Sequence, residues 1–398
     1  MVSRGPAERV LALISRVTST GAFIAEVDGL RFVAIMGVLL FHAHGGFFDP
    51  HPSLAPWVPG GDLVGYVIQT GSFGVQLFFV ISGFVLALPF AEHHLAGGRP
   101  IALKAYFVRR VTRLEPPYIV SLLLVALAVG WVSADMGAKL RSLVPHFFAH
   151  MFYVHNLVYG DINAPGFVAI NHVTWSLEIE IQFYVLAPFL ARLFSLKNKP
   201  LRRALIVSLI AASWLVSVYL TKGLWRLTIA QHLHYFLIGF LLVDVFVADW
   251  NGRPVKSYAW DVPGVIAWVA LPFALGIDYR WKSLVLVVIF VAYLGAFRGR
   301  LLARFFANRW LAAVGGMCYT IYLYHAHMIY HVNRWLESHV YGAVDKTNTV
   351  RALLQLGVMA FTVVAFCAVP FVLLEKPFMR RDWHKALVRR LRGDGTAS

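Results

Sequence analysis

The sequence predicts an all-α membrane protein with about ten transmembrane helices and both termini in the cytoplasm. Three observations support this: the composition, ten apolar stretches and the placement of the basic residues. Hydrophobic residues make up 59% of the 398 residues and charged residues only 14%, whereas soluble domains carry about 45–50% and about 25%. A water-soluble core cannot hold that excess. The composition also excludes a disordered chain, a coiled coil and a collagen, and the two cysteines, both in apolar runs, provide no disulfide framework.

The ten apolar stretches are each close to the length that a transmembrane helix needs, about 20 residues. In chain order they are 30–48, 72–90, 116–134, 172–194, 203–221, 231–248, 261–278, 282–297, 311–331 and 352–374. A further stretch, 143–160, is aromatic and histidine-rich but only weakly apolar. It is predicted to be an interfacial helix or a re-entrant segment.

The basic residues indicate the orientation. The chain carries 36 Lys and Arg against 20 Asp and Glu, a net charge of +16, which in a soluble protein would favour nucleic-acid binding. With the N-terminus in the cytoplasm, 27 of the 36 fall in predicted cytoplasmic segments and 9 elsewhere, in keeping with the positive-inside rule. No nucleic-acid partner is predicted. The expected organisation is a cytoplasmic segment (1–28), a transmembrane domain (29–378) and a basic cytoplasmic tail (379–398).

The first predicted span carries two ionisable side chains, Arg31 and His42. Ionisable groups at membrane depth are costly, and they indicate a functional site by default. Eleven residues bring a helix within about 20° of three full turns, so both side chains lie on one face, with His42 about 17 Å beyond Arg31. The alternative is that Arg31 only anchors the span at the cytoplasmic surface and that His42 only contacts a neighbouring helix.

The fourth span contains Glu178 and Glu180, which point in directions about 200° apart. Ser176, Glu180 and Tyr184 share one face, and Glu180 lies about 12 Å from the outer end, close to the depth of His42. A carboxylate beside an imidazole makes a general base, so we expect Glu180 to pair with His42. The alternative is a structural polar pair between two helices. Glu178 is expected to be structural.

Two further segments carry polar or small residues that suit a site. Arg110 and Arg113, just before Pro116 and Pro117, could together bind phosphates, or they could serve only as cytoplasmic anchors. Ser82-Gly83 in the second span favours close helix packing. No metal site is predicted, because the side chains of each His-Ala-His pair point to nearly opposite faces of a helix.

Taken together, these residues resemble the acyltransferase 3 family of bacterial membrane O-acyltransferases, from Asp28 to Phe378. Each part of the resemblance is weak alone, but six occur in the family's order. The parts are the Arg-x10-His helix (Arg31, His42), FFVxSGF (Phe78 to Phe84), RxxR before a proline (Arg110, Arg113, Pro116), WSLxxExxFY (Trp175 to Tyr184), YxxYLxH (Tyr319 to His325) and ExPF (Glu375 to Phe378). The sequence departs from the family pattern at Gln76, Glu115 and Glu178, which puts the substrate preference in doubt more than the class.

The resemblance implies ten core helices in the bacterial cytoplasmic membrane, a cytoplasmic acyl-CoA donor, usually acetyl-CoA, and transfer to a hydroxyl presented from the far side. By that resemblance His42 and Glu180 are catalytic, and Arg31, Arg110 and Arg113 hold the CoA phosphates. The substrate pocket is expected to contain Ser82, Ser176, Tyr184, Tyr322 and His325. Many relatives carry an additional extracytoplasmic domain, so this chain is expected to act alone or with separate partners.

The expected acceptor is a surface polysaccharide sugar or a lipid-linked glycan, with a macrolide-type molecule as the alternative. His42 could deprotonate the acceptor hydroxyl for direct attack, which we favour, or carry the acyl group itself. A different class of protein also remains open: a transporter or flippase in which His42 and Glu180 relay protons. The sequence shows no matching halves of the kind that many transporters have.

Overall fold

The computed structural model describes residues 5–17, 23–47, 63–131, 133–160, 169–219, 223–275, 283–344, 348–380 and 383. Over these residues the chain is helical, and the only β-type pairing is an isolated bridge between Ser257 and Gly299. The predicted basic tail lies almost entirely outside the described residues. The α-helices are α1 (Pro6–Ile14), α2 (Ala25–Phe47), α3 (Leu63–Gln69), α4 (Gly74–Ala96), α5 (Leu103–Trp131), α6 (Met136–Met151), α7 (His155–Tyr159), α8 (Trp175–Leu190), α9 (Lys199–Tyr219), α10 (Ile229–Ala248), α11 (Asp261–Leu275), α12 (Ser283–Arg298), α13 (Arg300–Phe306), α14 (Arg309–Gly316), α15 (Cys318–Leu336) and α16 (Thr349–Pro370).

The all-α class is confirmed for the described residues, and each of the ten predicted stretches overlaps one or more of these helices. Six helical stretches within the described residues are long and apolar enough to cross a membrane: Ala25–His44, Leu63–Ala96, Leu103–Trp131, Lys199–Tyr219, Trp225–Ala248 and Thr349–Met379. The remaining four predicted spans fall on shorter or interrupted helices. The number ten and the cytoplasmic position of both termini stay predictions.

Helix α5 begins earlier than the sequence predicts. The third predicted span begins at residue 116, after both Arg110 and Arg113, whereas the helix starts at Leu103 and contains Pro116 and Pro117 in its interior. A proline removes one backbone donor from a helix. Helices in membranes tolerate this because neighbouring groups compensate for the lost bond. The two arginines are therefore held on a helix, one turn apart.

The predicted ninth span is broken into α14 and α15, which meet at Met317. The break follows Gly315 and Gly316, where α14 runs against the start of α2. A Cβ atom on Gly315 would overlap the backbone carbonyl of Asp28, so only glycine permits this contact. The close approach brings α15, with Tyr322 and His325, alongside α2.

The histidine-rich stretch 143–160 forms the C-terminal part of α6, a short connection and the one-turn helix α7. Neither helix is among the long apolar ones. At the connection Tyr153 has a φ of 56°, a left-handed conformation that lets the chain reverse. The reversal brings α6 and α7 together against the start of α8, and the side chains of His150, His155 and Asn156 are buried there.

Helix α2 lies between two hydrophobic clusters. Its first half contributes Leu30 and Ala34 to a cluster built largely from α4, α8, α10 and α12. Its second half contributes Ile35 and Leu39 to another, built largely from α5, α15 and α16. Burial against both clusters fixes the rotation of α2 about its axis, and therefore the direction of each polar side chain that it carries.

Helices α4 and α10 pack through glycine, as Ser82-Gly83 predicts. A Cβ atom on Gly83 would overlap the carbonyl of Phe236, and one on Gly239 would overlap the carbonyl of Val80. The rings of Phe79 and Phe236 stack beside this contact, with centroids 4.7 Å apart. The close backbone contact holds α4, and with it Ser82, at a fixed position beside α8.

We predict that Gly83→Ala lowers the stability of the folded protein, because the added methyl group meets backbone rather than a movable side chain. Overpacking of this kind costs about 1–3 kcal/mol. Gly357 on α16 is the matched control, since nothing lies within 4 Å of the position its Cβ would take. Gly357→Ala should be neutral or stabilising by about 0.5–1 kcal/mol. Thermal unfolding of both variants in detergent checks the difference, and equal melting temperatures would contradict the packing assignment.

Candidate active site

The buried carboxylate of Asp28 binds two arginines at the N-terminal end of α2. Nη1 of Arg31 donates to Oδ1 of Asp28 and Nε of Arg16 donates to Oδ2, both at 2.6 Å. Asp28 is fully buried, so it needs this positive charge. Burial lowers the pKa of Arg16 to about 10, which leaves it protonated at neutral pH. The pair of arginines against one carboxylate carries a net positive charge.

Two more arginines from α5 extend this positive region. The guanidinium of Arg110 lies 3.9 Å from the ring centre of Tyr106 and 5.6 Å from that of Tyr184. Arg113 interacts electrostatically with Arg16 and with the buried Glu375, and its buried Nε has no hydrogen-bond partner. Arg31, Arg110 and Arg113 therefore contribute to one positively charged region.

Glu180 lies next to this region. The hydroxyls of Ser82 and Tyr184 both donate to its Oε1 atom, at 2.6 and 2.8 Å. Arg31 and Tyr106 interact electrostatically with the same carboxylate. Glu180 therefore bonds Tyr184, which the sequence places on the same helix face, and also Ser82 of α4, a contact between helices that the sequence does not predict.

The expected pairing of His42 with Glu180 is not observed: among the described residues no hydrogen bond joins these two side chains. The partner of His42 is His325 of α15, whose Nε2 lies 3.2 Å from Nδ1 of His42. Equal depth along two helices does not make two side chains face each other. The rotation of α2 turns the imidazole toward α15, while Glu180 is held by α4.

The hydrogen bonds of the two imidazoles assign their protons. Nδ1 of His325 lies 3.0 and 2.9 Å from the carbonyls of Ile321 and Tyr322, so it must carry a hydrogen. Its Nε2 is then an acceptor. Nδ1 of His42 lies between this acceptor and the carbonyl of Val38 at 2.9 Å, so it also carries a hydrogen. The neutral His42 side chain therefore has its lone pair on Nε2, the nitrogen that can accept a proton.

Tyr322 links the Glu180 group to the histidine pair. Its hydroxyl donates to the carbonyl of Val173 at 2.7 Å, and so the hydroxyl of Ser176, 3.0 Å away, donates to Tyr322. Ser176 lies one turn from Glu180 on α8, and Tyr322 lies one turn from His325 on α15. The five residues expected to line a substrate pocket (Ser82, Ser176, Tyr184, Tyr322 and His325) therefore belong to one connected arrangement of helices α4, α8 and α15.

Two histidines near His42 were not assigned to the site by the sequence. The ring of His172 lies 6.1 Å from that of His42, and the ring of His327 lies 6.3 Å from that of His172. His42 and His172 are both exposed, so this end of the site is open. His172 stands at the start of the TWSLEIE helix, and that position was the only signal in the sequence.

The fold and the site define a helical protein with candidate membrane spans, clustered arginines at one part of its site and an exposed imidazole at another. The sequence matches the family model described as an acyltransferase domain over residues 24–374. The chain therefore belongs to the acyltransferase 3 family, as the resemblance in its motifs predicts.

Curated relatives from Staphylococcus aureus carry related names. A protein of strain COL named "Putative O-acetyltransferase" is 26% identical over 395 residues, which cover 92% of this chain and 58% of the relative. "O-acetyltransferase OatA" of strain NCTC 8325 is 25% identical over 339 residues, covering 79% of this chain and 52% of the relative. The chain thus aligns with a little over half the length of these relatives. No solved structure gives a significant match.

Proposed function

We propose that the protein is a membrane O-acyltransferase that moves an acyl group, acetyl by the names of its relatives, from acyl-CoA to a hydroxyl of a surface-polysaccharide sugar. The observation that carries the proposal is the protonation pattern of His42: His325 and Val38 hold its Nδ1 hydrogen, and Nε2 is left as a base. An exposed imidazole so oriented suits the deprotonation of an incoming hydroxyl.

In the proposed reaction, Nε2 of His42 takes the proton of the acceptor hydroxyl as its oxygen attacks the thioester carbonyl. The carbon–sulfur bond then breaks, and the CoA sulfur takes the proton back from His42. Acyl ester and free CoA are the products, and no covalent enzyme intermediate forms. Direct transfer is favoured over an acyl-histidine because the contact with His325 suits a base whose hydrogen on Nδ1 stays in place.

The positive region supports the assignment of the donor. CoA carries several phosphate charges, and guanidinium groups bind phosphates through paired, charge-assisted hydrogen bonds. Arg31, Arg110 and Arg113 are proposed to hold these phosphates at the cytoplasmic side of the bacterial inner membrane. Glu180 is proposed to act between the arginine region and His42. Its carboxylate would hold the hydroxyls of Ser82 and Tyr184 beside the path of the acyl group of the donor. No metal takes part in the proposed transfer.

A proton-coupled transporter or flippase is the second candidate, and one observation favours it. In the order His325, His42, His172 and His327, neighbouring rings lie 4.9 to 6.3 Å apart between centroids, a series that suits proton relay. Label from acetyl-CoA that reaches a glycan acceptor supports the enzyme. Uptake of unmodified glycan into vesicles without acyl transfer supports the transporter. Label on a macrolide but on no glycan would show that the acceptor is a macrolide-type molecule instead of a polysaccharide.

His42→Ala should abolish transfer, with a loss of at least about 10²-fold, the smallest usual contribution of a general base. His325→Phe should lower kcat and change the pH profile of kcat while leaving the KM for the donor near wild type, because it removes only the group that holds the tautomer. His339→Ala is the control, since His339 is exposed and bonded only near the end of α15. Near-normal activity of His42→Ala would refute the base.

Arg110→Ala and Arg113→Ala should each raise the KM for acyl-CoA about tenfold or more, because hydrogen bonds to charged groups contribute about 1.5–3 kcal/mol, with little change in kcat. Arg109→Ala is the matched control: it removes the same charge from the same helix, but Arg109 is exposed. If donor saturation is unchanged in all three variants, the arginines serve only in topology.

Glu180→Gln should abolish transfer while the protein still folds, because the amide keeps an acceptor oxygen for Ser82 and Tyr184 but loses the charge facing Arg31. Initial rates at saturating donor, with melting temperature and gel filtration to confirm folding, measure the effect. Glu337→Gln, a partly exposed carboxylate beyond α15, should behave as wild type. A Glu180→Gln variant with ordinary rates would remove this carboxylate from the site.

A further inference from the structure

Three side chains with metal-binding atoms meet where α6, α7 and α8 come together. His150 lies near the end of α6, His155 is the first residue of α7, and Glu178 lies in the first turn of α8. All three are buried, with at most 2% of each residue exposed. One potential ligand atom from each lies within 4.8 Å of those of the other two. Glu178 points away from Glu180, so this group is separate from the site described above.

Several atoms of this group lack the hydrogen bonds that buried polar atoms normally make. Neither ring nitrogen of His150 has a hydrogen-bond partner, and neither does Oε1 of Glu178. The other oxygen of Glu178, Oε2, accepts from the backbone N–H of Asn156 at 2.8 Å. Nδ1 of His150 lies 3.5 Å from Oε1, beyond good hydrogen-bonding distance. Unpartnered buried groups are costly, so the arrangement calls for something that satisfies them together.

We propose that His150, His155 and Glu178 bind one divalent transition-metal ion, with zinc as the expected occupant. Two imidazoles and one carboxylate form a donor set that zinc and its neighbours in the first transition row accept, with a fourth position for water. A divalent cation would offset the buried carboxylate and occupy lone pairs of both imidazoles. This site is independent of the acyl-transfer chemistry.

The imidazole rings show what metal binding must change. The rings of His150 and His155 stack face to face, with centroids 3.9 Å apart and planes within 1°. An ion lies close to the plane of each ring that binds it, so at least one ring turns about its Cβ–Cγ bond on binding. Nδ1 of His146 lies 3.0 Å from Nε2 of His155, a contact of the kind that fixes the tautomer of a metal-binding histidine.

The consequence of binding would be structural. The ion would join α6 and α7 to the first turn of α8, which also carries Ser176 one turn before Glu180. Nothing in the sequence indicates this site, because the two histidines and the glutamate lie on three separate helices and their spacing matches no zinc motif. Only the chain reversal at Tyr153 brings them together.

The test is zinc and cobalt binding by the full chain, purified in detergent through a tag without histidine and stripped with EDTA. We expect about one zinc ion per chain by elemental analysis after gel filtration, and with Co²⁺ the intense visible absorption of a four-coordinate site. Glu178→Gln and His150→Gln should weaken zinc binding at least about tenfold. Loss of a residue that only hydrogen-bonds to a metal ligand already lowers the affinity by that factor, and these two residues are the proposed ligands themselves.

His234→Ala is the matched control, because His234 is also buried with an unpartnered ring nitrogen but belongs to no cluster of potential metal ligands among the described residues. It should bind zinc as wild type does. Failure of the wild-type chain to take up zinc stoichiometrically, a cobalt spectrum like that of the hydrated ion, or unchanged binding in both ligand variants would each overturn the proposal. The wild-type cobalt spectrum decides the question if a variant does not fold.

Discussion

The part of the site that is proposed to bind the acyl-CoA donor depends on one interaction. The carboxylate of Asp28 binds the guanidinium groups of Arg16 and Arg31. A carboxylate as deeply buried as this one is tolerated only with positive partners. The two arginines carry one positive charge more than the carboxylate neutralises. A net positive charge therefore remains here, and Arg113 adds to it. A buried ion pair of this kind is weak evidence for stability, but it holds two arginines against one carboxylate at the N-terminal end of α2. Gly315 permits close packing of α14 at this point, because its lack of a side chain lets α14 lie against the backbone of Asp28.

Helix α2 carries that arrangement to the other end of the site. The same helix that begins at Asp28 and Arg31 presents His42 three turns later, and burial against two hydrophobic clusters prevents it from rotating. Around it, α4 and α8 bring Ser82 and Glu180 to the arginines, while α15 brings His325 to the imidazole. Helix packing thereby separates the two parts of the proposed reaction: the arginines proposed to hold the donor phosphates, and the imidazole proposed as the base, which lies beside a second imidazole.

Helical periodicity predicted the parts of the site that lie on a single helix. Arg31 and His42 share a helix, and so do Ser176, Glu180 and Tyr184, and these relations follow from 3.6 residues per turn. Contacts between helices could not be obtained in this way, because depth along an axis says nothing about rotation around it. That is why Glu180 was paired with His42, although it bonds Ser82 and Tyr184. The early start of α5 and the meeting of His150, His155 and Glu178 depend on a tolerated proline pair and on a chain reversal, for which local sequence carries little signal.

Sealed proteoliposomes with labelled acetyl-CoA confined to the lumen and a polysaccharide acceptor outside give the most direct test of transfer between two ends of one protein. We expect labelled acyl ester on the outside acceptor, free CoA retained in the lumen, and no transfer by the His42→Ala variant. Transfer only when donor and acceptor share one compartment would contradict the proposed arrangement. So would passage of unmodified acceptor across the bilayer without any acyl ester.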